Sequence, residues 1–288
     1  MRSYIFVIAI SIIGSMFVST QAFADEIAWD KIIGAKINKL NAAQKKIVAR
    51  NLNNIKNTRG CTGTLAKCLA SGDRSAARHA GFVVRMVYKS KTDEFIKNGV
   101  KKRYESAFSD EKININLSGH PGTGSKSTKV VIVEYACFQC PFCAHLAPKL
   151  KTIKKKFGNK VAHFYKFFPV RSHKHGVSSA IAGLAAHRQG KFWKMYDLMY
   201  ANRTDLTDQD LKKYAAQAGL DMVKFNADIK DKSLMKIIEK DKLEGMRFGV
   251  EGTPTFFVNG KLYQGAGDFV EIMDRISEEI DIVEGKVK

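Results

Sequence analysis

Three of the five cysteines in this sequence stand three residues apart within the stretch YACFQCPFCAHLAP (135–148): Cys137, Cys140 and Cys143. An apolar segment at 130–135 precedes them, and a segment with helical periodicity at 141–157 follows them. Cysteines at this density can hold a metal ion, bind an iron–sulfur cluster, or exchange electrons as a dithiol and a disulfide.

Cys140 and Cys143 are predicted to be the redox-active pair. Pro141 suits the first position of a helix, because its φ angle is preset and the N–H group that it lacks would be unpaired there. Cys140 then lies at the helix N-terminus, where free N–H groups and the helix dipole favour a thiolate. Cys143 lies one turn further along and is less exposed. Cys137, in the preceding loop, can also reach Cys140, but no helix holds that geometry.

Two other uses of the three cysteines remain open at this point. They match the first three ligands of a bacterial ferredoxin run, although Ala147 stands at the position of the fourth ligand. His145 could instead complete a Cys3His zinc site, with its ligands packed more tightly than in most zinc sites. In the remaining alternative the cysteines only cross-link the fold. We expect the redox use, with neither a metal nor a cofactor.

Glu134 and the segment VEGTPTFFVNG (250–260) supply the other candidate site residues. Glu134 lies near the end of a predicted strand, where a buried carboxylate is costly unless it has a partner. It could accept and return the proton of Cys143 as a general acid–base, or it could face water at a strand edge. Pro254 opens a strand in the later segment. A cis bond at this proline would turn the backbone of Thr253 toward a bound partner chain.

The first 24 residues are predicted to be a secretory signal peptide. Arg2 precedes an apolar run at 4–18, and Ala22-Phe23-Ala24 supplies an A-x-A cleavage pattern. The run is shorter than the roughly 20 residues of a spanning helix, which argues against an uncleaved membrane anchor. We therefore expect cleavage after Ala24 and a periplasmic mature protein. Disulfides persist in such an oxidising compartment, and the odd number of five cysteines leaves at least one thiol without an intramolecular partner.

The net charge of +20, or +19 without Arg2, raises the question of an anionic partner. The lysines are scattered over many predicted helices, with neither an arginine-rich block nor a basic patch interleaved with aromatic residues. We therefore expect a solvated basic surface and no nucleic-acid partner.

Residues 25–110 are predicted to form a small helical domain. Asn41 with Gln44 resembles a capping box, and Asp73 and Thr92 can each cap a further helix. From its position alone, we interpret the domain as a candidate module for homo-oligomerisation or for partner docking.

Cys61 and Cys68 lie inside this N-terminal domain. On one continuous helix they would be about 10 Å apart, which is too far for a disulfide. Gly60 and Gly63 flank Cys61, however, and predict a turn that folds back toward Cys68. We expect a structural disulfide, with two buried free thiols as the alternative.

Residues 111–288 are predicted to form a mixed α/β domain. The alternation at 113–117 predicts a strand, and the turn-rich segment at 119–129 predicts a linker. Further strands are predicted at 130–135, 161–168, 255–258 and 261–263, with a hairpin turn at Asn259-Gly260. Helices are predicted at 141–157, in an insert at about 172–249, and from about Asp268 onward.

Four segments within roughly residues 112–285 resemble the DsbA-like thiol:disulfide oxidoreductases: VIVEY at 131–135, CPFC at 140–143, QGKFW at 189–193 and GTPTFF at 252–257. The resemblance implies a fold of the α/β class, the thioredoxin-like fold with an inserted helical subdomain, here preceded by the small all-α N-terminal domain. It implies that Cys140 attacks and Cys143 resolves. It also implies a cis bond before Pro254, and it matches Glu134 to the buried acidic residue of the family.

The resemblance also bears on substrates and on the direction of exchange. It implies cysteine-containing protein substrates, which we expect to contact Phe142 and Thr253, and a membrane or soluble redox partner that resets the dithiol. The better-known oxidases have Pro-His between their cysteines, whereas Phe142 cannot place a positive charge near the thiolate. Cys137 stands where an acidic or polar residue is common, and N-terminal extensions of some relatives make dimers or trimers. Oxidase, isomerase and reductase therefore all remain open.

Overall fold

The computed structural model describes residues 27–125, 127–265 and 267–287. The predicted signal peptide and its cleavage point after Ala24 lie outside these residues. Within them, no helix combines the length and the apolar character needed to cross a bilayer.

Four α-helices form the N-terminal domain within the described residues, and their apolar side chains share one core. They are α1 (Ala42–Asn54), α2 (Leu65–Ala70), α3 (Arg74–Tyr88) and α4 (Asp93–Phe108). The predicted caps are confirmed: Asn41 and Gln44 form a capping box, and Asp73 and Thr92 accept hydrogen bonds from the first turns of α3 and α4. A small antiparallel hairpin of β1 (Lys56–Asn57) and β2 (Gly63–Thr64) lies between α1 and α2.

The predicted disulfide between Cys61 and Cys68 is present, with 5.5 Å between the two Cα atoms. Cys68 lies in α2, whereas Cys61 lies in the turn between β1 and β2, so the two residues do not share a helix. The side-chain amide of Asn57 fixes this turn by donating hydrogen bonds to the carbonyl oxygens of Arg59 and Cys61, at 2.6 and 2.8 Å.

A four-stranded sheet forms the centre of the second domain. Its strands are β3 (Val130–Ala136), β4 (Val161–Phe167), β5 (Thr255–Val258) and β6 (Lys261–Leu262), in the order β4-β3-β5-β6. β3 and β4 are parallel, and β5 is antiparallel to both of its neighbours. Asn259 and Gly260 make the predicted hairpin turn, with φ angles of 49° and 75°, because this turn type requires left-handed backbone at both positions.

The strand predicted at residues 113–117 is absent, so that prediction is wrong. The N–H group of Ile113 donates a hydrogen bond to the carbonyl oxygen of Gly260 at 2.9 Å, but the residues after it form no ladder. The alternating side chains do have a physical cause, since Ile115 is buried and packs with its half-buried neighbours against the sheet. An extended segment lying on a sheet face shows the same alternation as a strand.

The helix predicted at 141–157 is divided into α5 (Pro141–Leu150) and α6 (Thr152–Phe157). Pro148 lies inside α5 and has no N–H group to donate, and its ring crowds the carbonyl of the preceding turn. The break at Lys151 follows three residues later. Gly158 ends α6 with a φ angle of 57°.

Five helices lie between β4 and β5 and form the predicted helical insert: α7 (Gly176–Arg188), α8 (Phe192–Ala201), α9 (Asp208–Gln217), α10 (Met222–Asp228) and α11 (Lys232–Arg247). The ring of Phe138, from the cysteine loop, stacks on Tyr165 of β4 and packs against Tyr200 of α8, with centroids 5.2 and 4.9 Å apart. The insert therefore holds the cysteine loop in place from one side.

Within the segment predicted to be a linker, at 119–129, residues 121–123 pair with the outer edge of β4. The carbonyl oxygen of Pro121 accepts a hydrogen bond from the N–H of Tyr165, and the N–H of Thr123 donates to the carbonyl oxygen of His163, both at 2.9 Å. The segment thus covers an edge whose N–H and C=O groups would otherwise be unpaired.

The last helix, α12 (Phe269–Val283), joins the two domains. Ion pairs connect arginines of α3 and α4 with acids of α12: Arg78 with Asp281 at 2.7 Å, Arg85 with Asp274 at 2.7 Å, and Arg103 with Glu271 at 3.0 Å. The surfaces of α3 and α4 that carry these arginines are covered by α12, and they are not available to a second copy of the chain.

Candidate redox site

Cys140 is the N-cap residue of α5, and Pro141 follows at the first helical position. In its protonated form, the thiol of Cys140 donates a hydrogen bond to the carbonyl oxygen of Thr253, which is 3.2 Å away. A hydrogen bond from the Cys143 thiol is the largest influence on its pKa. Burial opposes it, but further hydrogen bonds from Thr253 and from the backbone N–H groups of Cys143 and Phe142 lower the pKa of Cys140 to about 5. The sulfur is therefore a thiolate at neutral pH.

Cys143 lies one turn deeper in α5 and is fully buried. Burial raises the pKa of its thiol, and the hydrogen bond to Cys140 and the negative charge of Glu134 raise it further. The two thiols are thus tuned in opposite directions, as an exchange reaction needs: one sulfur is ready to attack, and the other holds its proton until a base removes it.

The loop before β5 faces the sulfur of Cys140. The Thr253–Pro254 peptide bond is cis, as the resemblance implies. The side chain of Thr255 donates a hydrogen bond to the carbonyl oxygen of Gly252 at 2.8 Å and closes the loop on itself. The hydroxyl of Thr253 is buried and makes no other hydrogen bond within the described part of the chain, so it is available to the thiolate of Cys140.

Glu134 is fully buried in β3, which excludes the alternative of a strand-edge carboxylate facing water. Its Oε2 atom is 2.9 Å from Nε2 of His163 in β4. Its Oε1 atom has no hydrogen-bond partner among the residues that the structure describes. The negative charge of Glu134 acts on Cys143, and it also raises the pKa of Tyr196, although burial is the larger cause there.

Cys137 is also buried, and its sulfur lies 3.2 Å from Nδ1 of His173. Burial raises the pKa of this thiol, against hydrogen bonds from the backbone N–H groups of Val170 and Gln139. The turn that follows is closed by a hydrogen bond of 3.0 Å from the N–H of Cys140 to the carbonyl of Cys137. Cys137 thus belongs to the loop that positions Cys140.

Phe142, between the two cysteines of the pair, is 71% exposed. A large apolar side chain at that exposure, beside a reactive sulfur, offers a contact surface for an incoming chain.

The residues proposed for a metal site do not converge. His145 is exposed on α5 and lies beside Lys149, whereas Cys143 is buried on the opposite side. Within the described ranges, no group of three or more His, Cys, Asp or Glu residues is arranged to hold a metal ion.

The sequence alone did not single out His163 or His173. The alternation of side chains along a strand gave a signal for His163, because it can place residues of two adjacent parallel strands on the same face of the sheet. The strand register needed to match His163 with Glu134 becomes available only in the structure, where Glu134 pairs with Tyr165.

Comparison with known proteins identifies the second domain. Residues 117–278 match the family model described as Thioredoxin. BdbD from Bacillus subtilis, in its oxidised form, is 21% identical, and the match covers 59% of this chain and 97% of that chain with a TM-score of 0.53. The thiol-disulfide exchange protein alpha-DsbA2 from Wolbachia pipientis is 18% identical over 63% of this chain and 94% of that chain, with a TM-score of 0.51. At these identities the two structures establish a shared fold.

Among curated sequences, the Na(+)/H(+) antiporter NhaA of Herminiimonas arsenicoxydans is 32% identical over 145 residues. The match covers 50% of this chain and 23% of the antiporter, so the chain spans under a quarter of the length of that relative.

Proposed function

The chain belongs to the thioredoxin family, and on this premise we propose that it is a thiol:disulfide oxidoreductase acting on cysteine-containing proteins through Cys140 and Cys143. The observation that carries the proposal is the placement of Cys140 at the start of α5. There its sulfur faces the Thr253 carbonyl at 3.2 Å, and its pKa is lowered to about 5. A cysteine that only cross-links the fold needs neither feature.

The exchange proceeds through a mixed disulfide. A substrate thiolate attacks the sulfur of Cys140 in the Cys140–Cys143 disulfide, and Cys143 leaves and takes up a proton. A second substrate thiolate then attacks the mixed disulfide, which releases the oxidised substrate and leaves Cys140 as a thiolate. The reverse sequence reduces a substrate disulfide with the same two sulfur atoms.

The environment of Cys140 favours oxidation of the substrate. Stabilising its thiolate stabilises the reduced pair, and so the disulfide of that pair becomes more oxidising. The reduction potential of the pair tests this direction. A value near the about −120 mV of DsbA supports an oxidase, and a value near the about −270 mV of thioredoxin contradicts it.

The proposal includes substrate contacts, a partner and a compartment. Exposed Phe142 and the backbone of Thr253 flank the sulfur of Cys140, which supports their role in holding the substrate chain. A membrane or soluble redox partner returns the pair to the disulfide after each turnover. The signal-like sequence before Asp25 and the Cys61–Cys68 disulfide support a periplasmic location.

Trapping of the mixed disulfide tests the function. We expect Cys143→Ser to accumulate a covalent adduct with a peptide that contains a disulfide, because the resolving thiol is missing. Cys140→Ser should form none, and the matched variant Cys137→Ser should exchange like the native protein. Mass spectrometry of the unreduced proteins identifies the adducts. The proposal fails if neither Cys143→Ser nor Cys140→Ser captures the peptide.

A further inference from the structure

Glu134 and His163 lie on one face of the sheet, on neighbouring parallel strands. Ile132 of β3 pairs with His163 of β4, and Glu134 pairs with Tyr165, so the carboxylate and the imidazole are diagonal neighbours. Their separation of 2.9 Å from Oε2 to Nε2 is that of a direct hydrogen bond. The imidazole therefore shares a proton position with the carboxylate.

The two oxygens of this carboxylate have different surroundings. Oε2 is held by His163, whereas Oε1 is buried and has no partner within the described ranges. The charge of Glu134 acts on the buried thiol of Cys143. The charge of Glu134 thus acts on a thiol that must lose and regain a proton, and its carboxylate contacts a histidine that can carry one.

His163 also borders a pocket of about 270 Å³. The polar and aromatic groups that line the pocket with it are Thr123, Lys151, Lys154, Trp193, Tyr196 and Asp197. Lys151 and Asp197 form an ion pair of 2.6 Å between exposed or half-exposed side chains, which puts this end of the pocket in contact with solvent. Trp193 packs beside the imidazole, with ring centroids 5.6 Å apart.

We propose that His163 transfers protons between Glu134 and this pocket each time the Cys140–Cys143 disulfide opens or closes. The inference rests on the proposed function, and it gives that function a route by which a proton can leave a fully buried thiol. His163 acts through Glu134 and touches neither sulfur, so it is a positioning and proton-transfer residue.

Opening of the disulfide moves one electron pair and one proton. A substrate thiolate forms a bond to the sulfur of Cys140 and the Cys140–Cys143 bond breaks, so the electron pair of that bond stays on Cys143. Glu134 passes a proton from His163 to this thiolate and is a carboxylate again at the end of the step, as its negative charge on the Cys143 thiol requires, and His163 takes a replacement proton from the solvent of the pocket. Closing of the disulfide runs the same transfers backward, with the substrate thiolate as the leaving group.

Two variants of the full chain separate proton transfer from packing. Opening of the Cys140–Cys143 disulfide by reduced glutathione is followed over pH by rapid alkylation and mass spectrometry. We expect His163→Gln, which can still hydrogen-bond to Glu134 but cannot carry a proton, to open at least about tenfold more slowly. His163→Ala should be equally slow across the pH range. Thermal unfolding of each variant confirms that it is folded.

Chemical rescue is the decisive experiment. The His163→Ala substitution enlarges an existing pocket, so a small base added to the solution can occupy the place of the missing side chain. Added imidazole should restore most of the opening rate of His163→Ala but not that of His163→Gln, where the side chain fills the space. Pyrazole, with the same shape and far lower basicity, should not restore it.

Native-like rates and pH profiles in both variants overturn the proton-transfer proposal, as does equal rescue by imidazole and pyrazole. A native protein that does not react with glutathione at all overturns the proposed function itself, so the two failures are distinguishable.

Discussion

The three neighbouring cysteines have different thiol pKa values, although the ordinary value is the same for Cys137, Cys140 and Cys143. The atoms near each sulfur cause the difference. Donors at the start of α5 and the side chain of Thr253 surround Cys140 and lower its pKa, whereas burial raises the pKa of the other two. One thiolate and two protonated thiols therefore coexist at neutral pH within seven residues of sequence. Only the first is a nucleophile before a base acts on its neighbour.

Alkylation of the reduced protein tests this difference. We expect iodoacetamide to modify Cys140 first, at a rate that rises with pH through a midpoint near 5, because the thiolate is the reacting form. Mass spectrometry of the peptides gives the site and the rate. The Cys140→Ser variant should react slowly and only at high pH, through Cys137 and Cys143. A midpoint near the ordinary thiol pKa of about 8.5 would contradict the role given to the α5 N-terminus.

The lowered pKa of Cys140 also fixes how the stability of the reduced protein and the reduction potential of the pair change with pH. Because the pKa of Cys140 is lower in the folded protein than in the unfolded chain, its contribution to the stability of the reduced fold is present at high pH and is lost as the pH falls through about 5. The reduction potential of the pair should accordingly change by about 59 mV per pH unit below pH 5 and by about 30 mV per pH unit above it, since one proton fewer is then bound on reduction.

The elements that sequence predicts best are those set by local chemistry. Asn41, Asp73 and Thr92 mark helix starts because their side chains reach N–H groups within the next turn. The Asn259-Gly260 turn is equally local.

The predictions that differ from the structure depend either on contacts between residues far apart in sequence or on a local residue preference that opposes the apolar pattern. The alternation at 113–117 cannot show whether a neighbouring strand is present to complete a ladder. The helix at 141–157 obeys its apolar periodicity and is interrupted only at Lys151, three residues after Pro148. His163 was missed because its partner Glu134 is 29 residues away in sequence, and the strand register alone brings the two side chains together.

At the level of one element, the Cys61–Cys68 disulfide holds the β1–β2 turn against α2. It spans seven positions of sequence and closes a short loop. We expect the Cys61→Ala/Cys68→Ala variant to lose about 2–3 kcal/mol of unfolding free energy, the amount that chain entropy gives for a loop of this length. Urea unfolding followed by circular dichroism measures the loss.

Disulfide exchange at Cys140 provides the control for that variant, and it should proceed at the native rate. An unchanged free energy of unfolding would show that Asn57 and the packing of α2 fix the turn without the covalent bond.

Across the whole molecule, the ion pairs between α12 and the N-terminal domain were not predictable from sequence. A basic residue on an amphipathic helix is usually predicted to face solvent. Arg78 and Arg103 are nevertheless buried, and so are Asp274 and Glu278 of α12. Burial alone would raise the pKa of Asp274, but Arg103, Arg85 and Arg78 outweigh it and hold this pKa below its ordinary value. The ion pairs between α12 and the arginines of α3 and α4, which we call the seam, thus form a network of charges that depend on one another, and they join the helical domain to the domain with the thioredoxin fold.

Arg103 occupies the centre of this network, with side-chain nitrogens 3.0 Å from Glu271, 2.9 Å from Asp274 and 3.6 Å from Glu278. We expect Arg103→Met to lower the free energy of unfolding by about 3–5 kcal/mol, because it leaves buried carboxylates without their counter-charge. The matched control is Arg50→Met, which breaks an ion pair with Asp93 whose side chains are 55% and 48% exposed, and which should cost less than about 1 kcal/mol.

A second substitution identifies the cause of that loss. Adding Glu278→Gln to Arg103→Met should restore part of the unfolding free energy, since it removes one of the buried negative charges that the arginine balanced. Lost packing of the Arg103 guanidinium on the ring of Phe82 would not be repaired by this change. Equal free energies of unfolding of the single and double variants would therefore assign the loss to packing. Equal free energies of unfolding of Arg103→Met and Arg50→Met would show that the seam contributes little to holding the two domains together.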